Sequence, residues 1–284
     1  MTRQPTYFIA HGSPFWLVQP NDPAPQFLKK WGKELLAGPN RPKTLLIISA
    51  HWETNATVKV TTAPTHKLFY DYYNFPKKFY DIKYPAKGDP EVANETIALL
   101  KAAGFHAVPE TERGLDHGVF TPLIYLFPKQ EIPVVQLSLP ITNDPAEYYK
   151  MGQALQPLRD RGVMIAGAGF LLHNLRLMMT RMNDGTKPDA PREPWASEFV
   201  EATEKAALKF TGESRRQEVM KLYKLKSYLT AHPSPEHFAP FVVAAGAGGE
   251  DPGKLIHSRW EAGVVNEDTF QFGGVEVVDN GQEL

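Results

Sequence analysis

The 284-residue sequence predicts an α/β protein, a single domain with a central mixed, largely parallel sheet flanked by helices. Three observations lead there. Short apolar runs bounded by turn residues recur along the chain, helical patterns alternate with them, and no Ser/Gly-rich or charged linker divides the sequence. Parallel strands need long crossovers, so regular strand–helix alternation points to a sheet packed between helical layers. Residues 1–284 are read as one domain, with a motif-bearing core over residues 6–274.

The predicted strands are Tyr7–Ala10, Thr44–Ala50, Thr57–Thr61, Pro133–Leu139, Val163–Ala168 and Phe238–Ala245. Several are nearly continuous Leu, Ile and Val, the pattern of strands buried on both faces. Helical patterns cover Ala24–Leu36, Asp89–Ala103, Thr121–Leu126, Ala146–Arg161 and Trp195–Thr211. The Asp89 segment opens Asp-Pro-Glu, a capping residue followed by proline at the first helical position, and closes on Gly104. Asp144-Pro145 repeats that opening, and Gly162 that close. The stretch Phe69–Gly88, with five tyrosines and two prolines, has no clear period and reads as a long ordered loop or lid.

Composition narrows the chemistry. There is no Cys, which excludes disulfides, thiolate-held zinc, iron–sulfur clusters and a thiolate nucleophile. Any metal must be held by nitrogen and oxygen. Thirty-one Lys+Arg against 32 Asp+Glu give a formal charge of −1, so no basic face for nucleic acid is expected. Lys77-Lys78 and Arg215-Arg216 read as solvated surface. No run approaches the roughly 20 apolar residues of a membrane span, and a cytoplasmic protein with no membrane partner is expected.

The nine histidines are the informative residues. His11 follows the first predicted strand and begins His11-Gly12-Ser13-Pro14. His51 follows the second, in Ser49-Ala50-His51-Trp52-Glu53, and His173 lies past the glycine-rich end of Val163–Ala168. Ligands of open parallel sheets collect at the carboxyl ends of strands, so these three side chains are expected to converge. His117 precedes an apolar helix, where a helix amino terminus favours anions. His232 and His237 are separated by Pro233 and Pro235, which excludes one continuous helical face and hence a His-x-x-x-His zinc motif. Singly, each histidine has an ordinary structural reading; jointly, His11 and His51 point to a metal or catalytic site. His66, His106 and His257 read as surface or helix-end residues. Ser13, Ser49 and Ser138 lie near strand ends, but none stands in Gly-x-Ser-x-Gly. Glu53 and Glu236 are carboxylates placed to orient an imidazole, with surface solvation as the ordinary alternative.

Several ordered motifs together resemble a known family. His11-Gly12-Ser13-Pro14, Ser49 to Glu53, Tyr70-Asp71 with Phe75-Pro76 and Tyr84-Pro85, Arg113 to Gly118, Pro133 to Leu139, His173-Asn174 and His232 to His237 look like the class III extradiol ring-cleavage dioxygenases of the LigB superfamily, in the DOPA 4,5-dioxygenase branch. The resemblance implies the fold of the protocatechuate 4,5-dioxygenase catalytic subunit and a non-haem Fe(II) needed for activity, with Zn(II) able to occupy the site. It implies His11, His51 and His232 as metal ligands, His173 as acid/base and His117 as a histidine facing substrate and oxygen. His237, Phe15 and Tyr70 are implied to bind substrate. The partners implied are a catecholic small molecule and O2, with ring opening to a muconic semialdehyde, in a monomer or small homo-oligomer. Departures are Leu172 before His173, Ala168 in the glycine segment and Phe15-Trp16 near the site, which are expected to narrow its mouth and make it more apolar. Two other readings keep the histidines: a zinc hydrolase and a non-enzymatic metal-binding relative.

Overall fold

The computed structural model describes residues 3–142 and 144–274. Strand β1 (Thr6–Ala10) leads through a 3-10 turn (Pro14–Val18) into α1 (Pro23–Ala37), then β2 (Thr44–Asn55) and β3 (Val58–Thr61). A long segment containing one 3-10 turn (Lys77–Phe79) precedes α2 (Pro90–Ala102), β4 (Ala107–Glu110), α3 (His117–Leu126), β5 (Val134–Ile141), α4 (Ala146–Asp160) and β6 (Val163–Gly169). Next come α5 (Leu175–Asn183), α6 (Pro194–Lys209), α7 (Gly212–Leu222), the single-turn α8 (Tyr228–Ala231), a 3-10 turn (Pro235–His237) and α9 (Ala239–Gly248). Strands β7 (Gly253–His257), β8 (Trp260–Glu261), β9 (Val265–Asn266) and β10 (Thr269–Phe272) close the described chain.

Eight strands form one sheet in the order β4-β3-β5-β2-β6-β1-β10-β7. Its centre, β5-β2-β6-β1, is parallel. Strand β3 is antiparallel to β5, and β10 and β7 are antiparallel additions at the other edge, so the sheet is mixed. Alternate side chains feed two cores, as the two-residue period of a strand requires. Tyr7, Ile9, Leu45 and Ile47 pack with Leu28 and Trp31 of α1 and Val119 and Leu123 of α3. Phe8, Leu46, Ile48 and Ile165 face the opposite way, onto α2, α4, α6 and α9. Buried on both faces, these strands explain the continuous apolar runs. No helix among the described residues is long and apolar enough to cross a membrane.

The two predicted helix starts hold: the Asp89 carboxylate accepts from the Val92 N–H, and that of Asp144 from the Ala146 N–H. Asp22, which the sequence did not single out, likewise accepts from the Ala24 N–H. Asp89 also accepts from Thr44 Oγ1 at 2.5 Å, tying α2 to the start of β2. One prediction fails outright: Phe238–Ala245, read as a strand, lies in a helix and the residue preceding it. All ten residues of α9 are buried, so it has no polar face and no visible helical period. It lies tight on the sheet, for a Cβ at Gly167 of β6 would stand 2.1 Å from the Pro240 carbonyl oxygen. Arg215 also departs from expectation. It is fully buried, donating to the carbonyls of Phe210, Gly249 and Asp251 and lying over the Phe272 ring.

Candidate metal centre and its cavity

His11 directly follows β1, and its Nδ1 donates to the Gly12 carbonyl at 2.7 Å, which leaves the Nε2 lone pair facing inward. His51 lies inside β2, not beyond its end. Pairing with β5 jumps from Ile48 opposite Leu137 to Glu53 opposite Leu139, so four residues of β2 face only Ser138. This irregularity turns the His51 ring toward His11, a common use of bulges beside functional sites. The two Nε2 atoms stand 3.2 Å apart.

His117 is the first residue of α3. Its backbone N–H donates to Asp71 Oδ1 at 2.8 Å, and its Nδ1 lies 2.9 Å from Asp71 Oδ2. Burial raises the Asp71 carboxyl, but the bonds from His117 outweigh it and hold the group below its usual range. Asp71 also faces His51 Nδ1 at 3.7 Å, too long for a hydrogen bond, so this carboxylate from the aromatic loop orients His117 and adds negative charge beside His51. Under them, Asp116 accepts from Ser49 Oγ at 2.7 Å, from Arg113 at 3.1 Å and from Gln136. Arg113 reaches the His51 carbonyl as well, at 3.0 Å. Gly118 permits this packing, because a Cβ there would stand 2.8 Å from the His51 ring.

His173 and His237 complete the group. Their rings stack with centroids 3.3 Å apart. The His173 N–H is held by the Ala231 carbonyl, and the His237 carbonyl accepts from Phe170 at the end of β6, which draws the 3-10 turn onto the strand ends. His237 Nδ1 is 3.0 Å from Glu236 Oε1, and its buried Nε2 has no partner. Ring centroids of His11, His51 and His237 form a nearly equilateral triangle of 4.8, 4.9 and 5.3 Å. His11, His51 and His117 are also close enough to share an ion, as are His173, Glu236 and His237.

His11, His51, His173 and His237 are neutral at physiological pH. Burial lowers His51 and His173 to about 4, and it drives His11 and His237 well down, with neighbouring imidazoles adding to the effect. Neutral imidazole is the form that ligates metal.

His232 does not join them. Its Nε2 bonds the Leu171 carbonyl at 2.8 Å and its ring packs against Phe199, Tyr228 and Phe238. The turn through Pro233 and Pro235 leaves His232 in the core behind the site and carries His237 forward in its place. Tyr70, expected at the substrate, instead donates to the Ile82 carbonyl and packs on Tyr72, Tyr80 and Phe120 within the aromatic loop. Phe15 does border the cavity that opens over the imidazoles, together with His11, His51, His117, His173, Phe75 and Phe170. His66, read as surface or helix end, is buried on the Val134 carbonyl. Ser49 and Ser138 are engaged in structural hydrogen bonds, and Ser13 caps the Pro14–Val18 turn. The orienting residues Asp71, Asp116 and Arg113 were not singled out by sequence; the only signal was their place inside the ordered motifs.

Comparison with known proteins places the chain in a family. Residues 5–273 match the family model described as the catalytic LigB subunit of aromatic ring-opening dioxygenase. A 4,5-DOPA dioxygenase extradiol of Beta vulgaris is 38% identical over 94% of this chain and 96% of its own. One of that name from Escherichia coli K12 is 32% identical over 96% of both. A crystal structure of an uncharacterised Escherichia coli K12 protein superposes with a TM-score of 0.74 at 29% identity, covering 95% of this chain and all of that one. The chain therefore belongs to the LigB family and is an extradiol aromatic ring-opening dioxygenase.

Proposed function

We propose that His11, His51 and His237 hold one Fe(II), and that the protein uses O2 to open a catecholic ring to a muconic semialdehyde. The observation carrying this reading is the 3.2 Å approach of the His11 and His51 Nε2 atoms. With Nδ1 of His11 on a carbonyl and Nδ1 of His51 toward Asp71, both Nε2 atoms present lone pairs. Two neutral lone pairs repel at that separation unless a cation lies between them. Two nitrogens bound at about 2.1 Å to one ion stand roughly 3.0–3.4 Å apart, so the pair fits. His237 suits the third position because Glu236 takes its Nδ1 and its buried Nε2 is otherwise unsatisfied.

When bound, ferrous iron supplies the open coordination positions and redox chemistry that let O2 react with an aromatic ring. The surrounding residues handle protons and shape. His173, neutral and at the cavity wall, takes a proton from a catechol hydroxyl and returns it to the developing product. His117, with Nδ1 on Asp71, turns Nε2 to the substrate. Phe15, Phe75 and Phe170 give the ring an apolar seat and exclude water. That relatives are 4,5-DOPA dioxygenases supports a substituted catechol.

Zinc fits the same donors, so the test must separate the two metals. Protein stripped by chelation is reloaded anaerobically with Fe(II) or Zn(II) and given catechols in air. Stoichiometric O2 uptake and a yellow product are expected with Fe(II) alone. Full Fe(II) loading with no O2 uptake on any catechol, or equal turnover with zinc, overturns the proposal.

A further inference from the structure

The cavity extends well past the imidazoles. Its volume is about 730 Å³, inside the roughly 300–1,000 Å³ of sites that take drug-sized ligands and more than a bare catechol ring needs. One wall is α5. Leu175, Met178, Met179 and Met182 stand at i, i+3, i+4 and i+7, one face of that helix, and all four line the cavity. No residue of α5 is buried; Leu175, Met179 and Met182 are 46%, 59% and 48% exposed. With Phe15 at 51%, four of the eight large apolar side chains exposed among the described residues open into this one cavity. Single exposed apolar residues are ordinary, but such a concentration marks a binding surface. Unbranched thioethers suit a flexible aliphatic ligand.

The charged residues of the cavity beyond the imidazoles are Asp22, Glu261, Glu267 and Arg259. Arg259 donates Nη1 to Glu267 at 2.8 Å and Nη2 to Asp22 at 3.1 Å, so both terminal nitrogens already serve protein carboxylates. Three acids against one engaged cation make this end hostile to a further carboxylate. Burial pushes Glu267 up to about 7, so the negative excess is fullest in mild alkali.

We infer that the cavity selects catechols bearing an uncharged apolar substituent of several carbons, laid along the Met178–Met182 face of α5, and disfavours those whose substituent ends in a carboxylate. The inference rests on the ring-opening reading only for where the catechol itself sits.

Butylcatechol, dihydrocaffeate and catechol are compared at about pH 8, by O2 uptake with Fe(II)-loaded enzyme and by anaerobic calorimetry on the protein with and without metal. Butylcatechol is expected to exceed dihydrocaffeate by about tenfold or more in kcat/KM and in affinity. Met179→Lys, its fold checked by circular dichroism, should cut that preference about tenfold, and Met179→Leu should retain it. Equal or better use of dihydrocaffeate, or a preference untouched by Met179→Lys, overturns the inference. If no compound is opened but the binding preference holds, the dioxygenase reading of the site fails and this inference stands. Ring opening without the preference has the opposite meaning.

Discussion

Between His232 and His237 the chain turns through Pro233 and Pro235, and two histidines alike in sequence end in different surroundings. His237 stacks on His173 and faces His11 and His51; His232 is sealed among aromatic rings on a backbone carbonyl. Their replacements should therefore differ in kind. His237→Ala is expected to abolish stoichiometric metal while leaving a folded protein. His232→Ala should keep the metal and lose about 2 kcal/mol of stability, from the unpaired Leu171 carbonyl and the void left between Phe199 and Phe238. Elemental analysis and urea unfolding of the two variants decide the matter, and the reverse pattern returns the third ligand to His232. Arg215 teaches the same lesson. An Arg-Arg pair reads as surface, yet only the three-dimensional arrangement supplies the carbonyls that make burial of the first arginine tolerable.

At the scale of elements, caps and turn residues are local and were legible. Asp89 and the glycines after α2 and α4 lie where a helix must start or stop. Helix α9 was not legible, because a helix buried all round carries the same unbroken apolar run as a buried strand. Glycines in β6 decide the outcome by letting the helix press onto the strand. Gly167→Ala places a Cβ against the Pro240 carbonyl and is expected to cost about 3 kcal/mol. Urea denaturation measures this, and a loss under about 0.5 kcal/mol would show that α9 can shift freely. The irregular pairing of β2 was equally hidden, since nothing in Ser49-Ala50-His51-Trp52 announces that four residues will face one.

The whole molecule sets the pH response. Burial holds seven histidines below their ordinary value, with His51 and His173 near 4 and His232 near 3, while Glu53, Glu267 and Asp268 are the carboxyls raised by burial. Unfolded histidines take up protons near pH 6.5 while the folded ones resist to lower pH, His51 and His173 until about 4, so acid draws the chain toward the unfolded state. The metal-free protein should be fully stabilised by these groups above about pH 6.5 and lose that stability between about 6.5 and 4. The raised acids oppose this, but they are outnumbered. A urea midpoint at pH 5 equal to or above that at pH 7.5 would contradict the account. Taken alone, the sequence determined the α/β class, most of the parallel-sheet strands, several helix ends and the exclusion of thiolate from any metal site. Periodicity, capping and the absence of Cys act over a few residues or none, and so can be read locally. The tertiary structure decided which histidines meet, which carboxylates orient them and which apolar face stays open. His11 and His237 are 226 residues apart, and only the crossovers, the β2 irregularity and the turn beyond His232 bring them together.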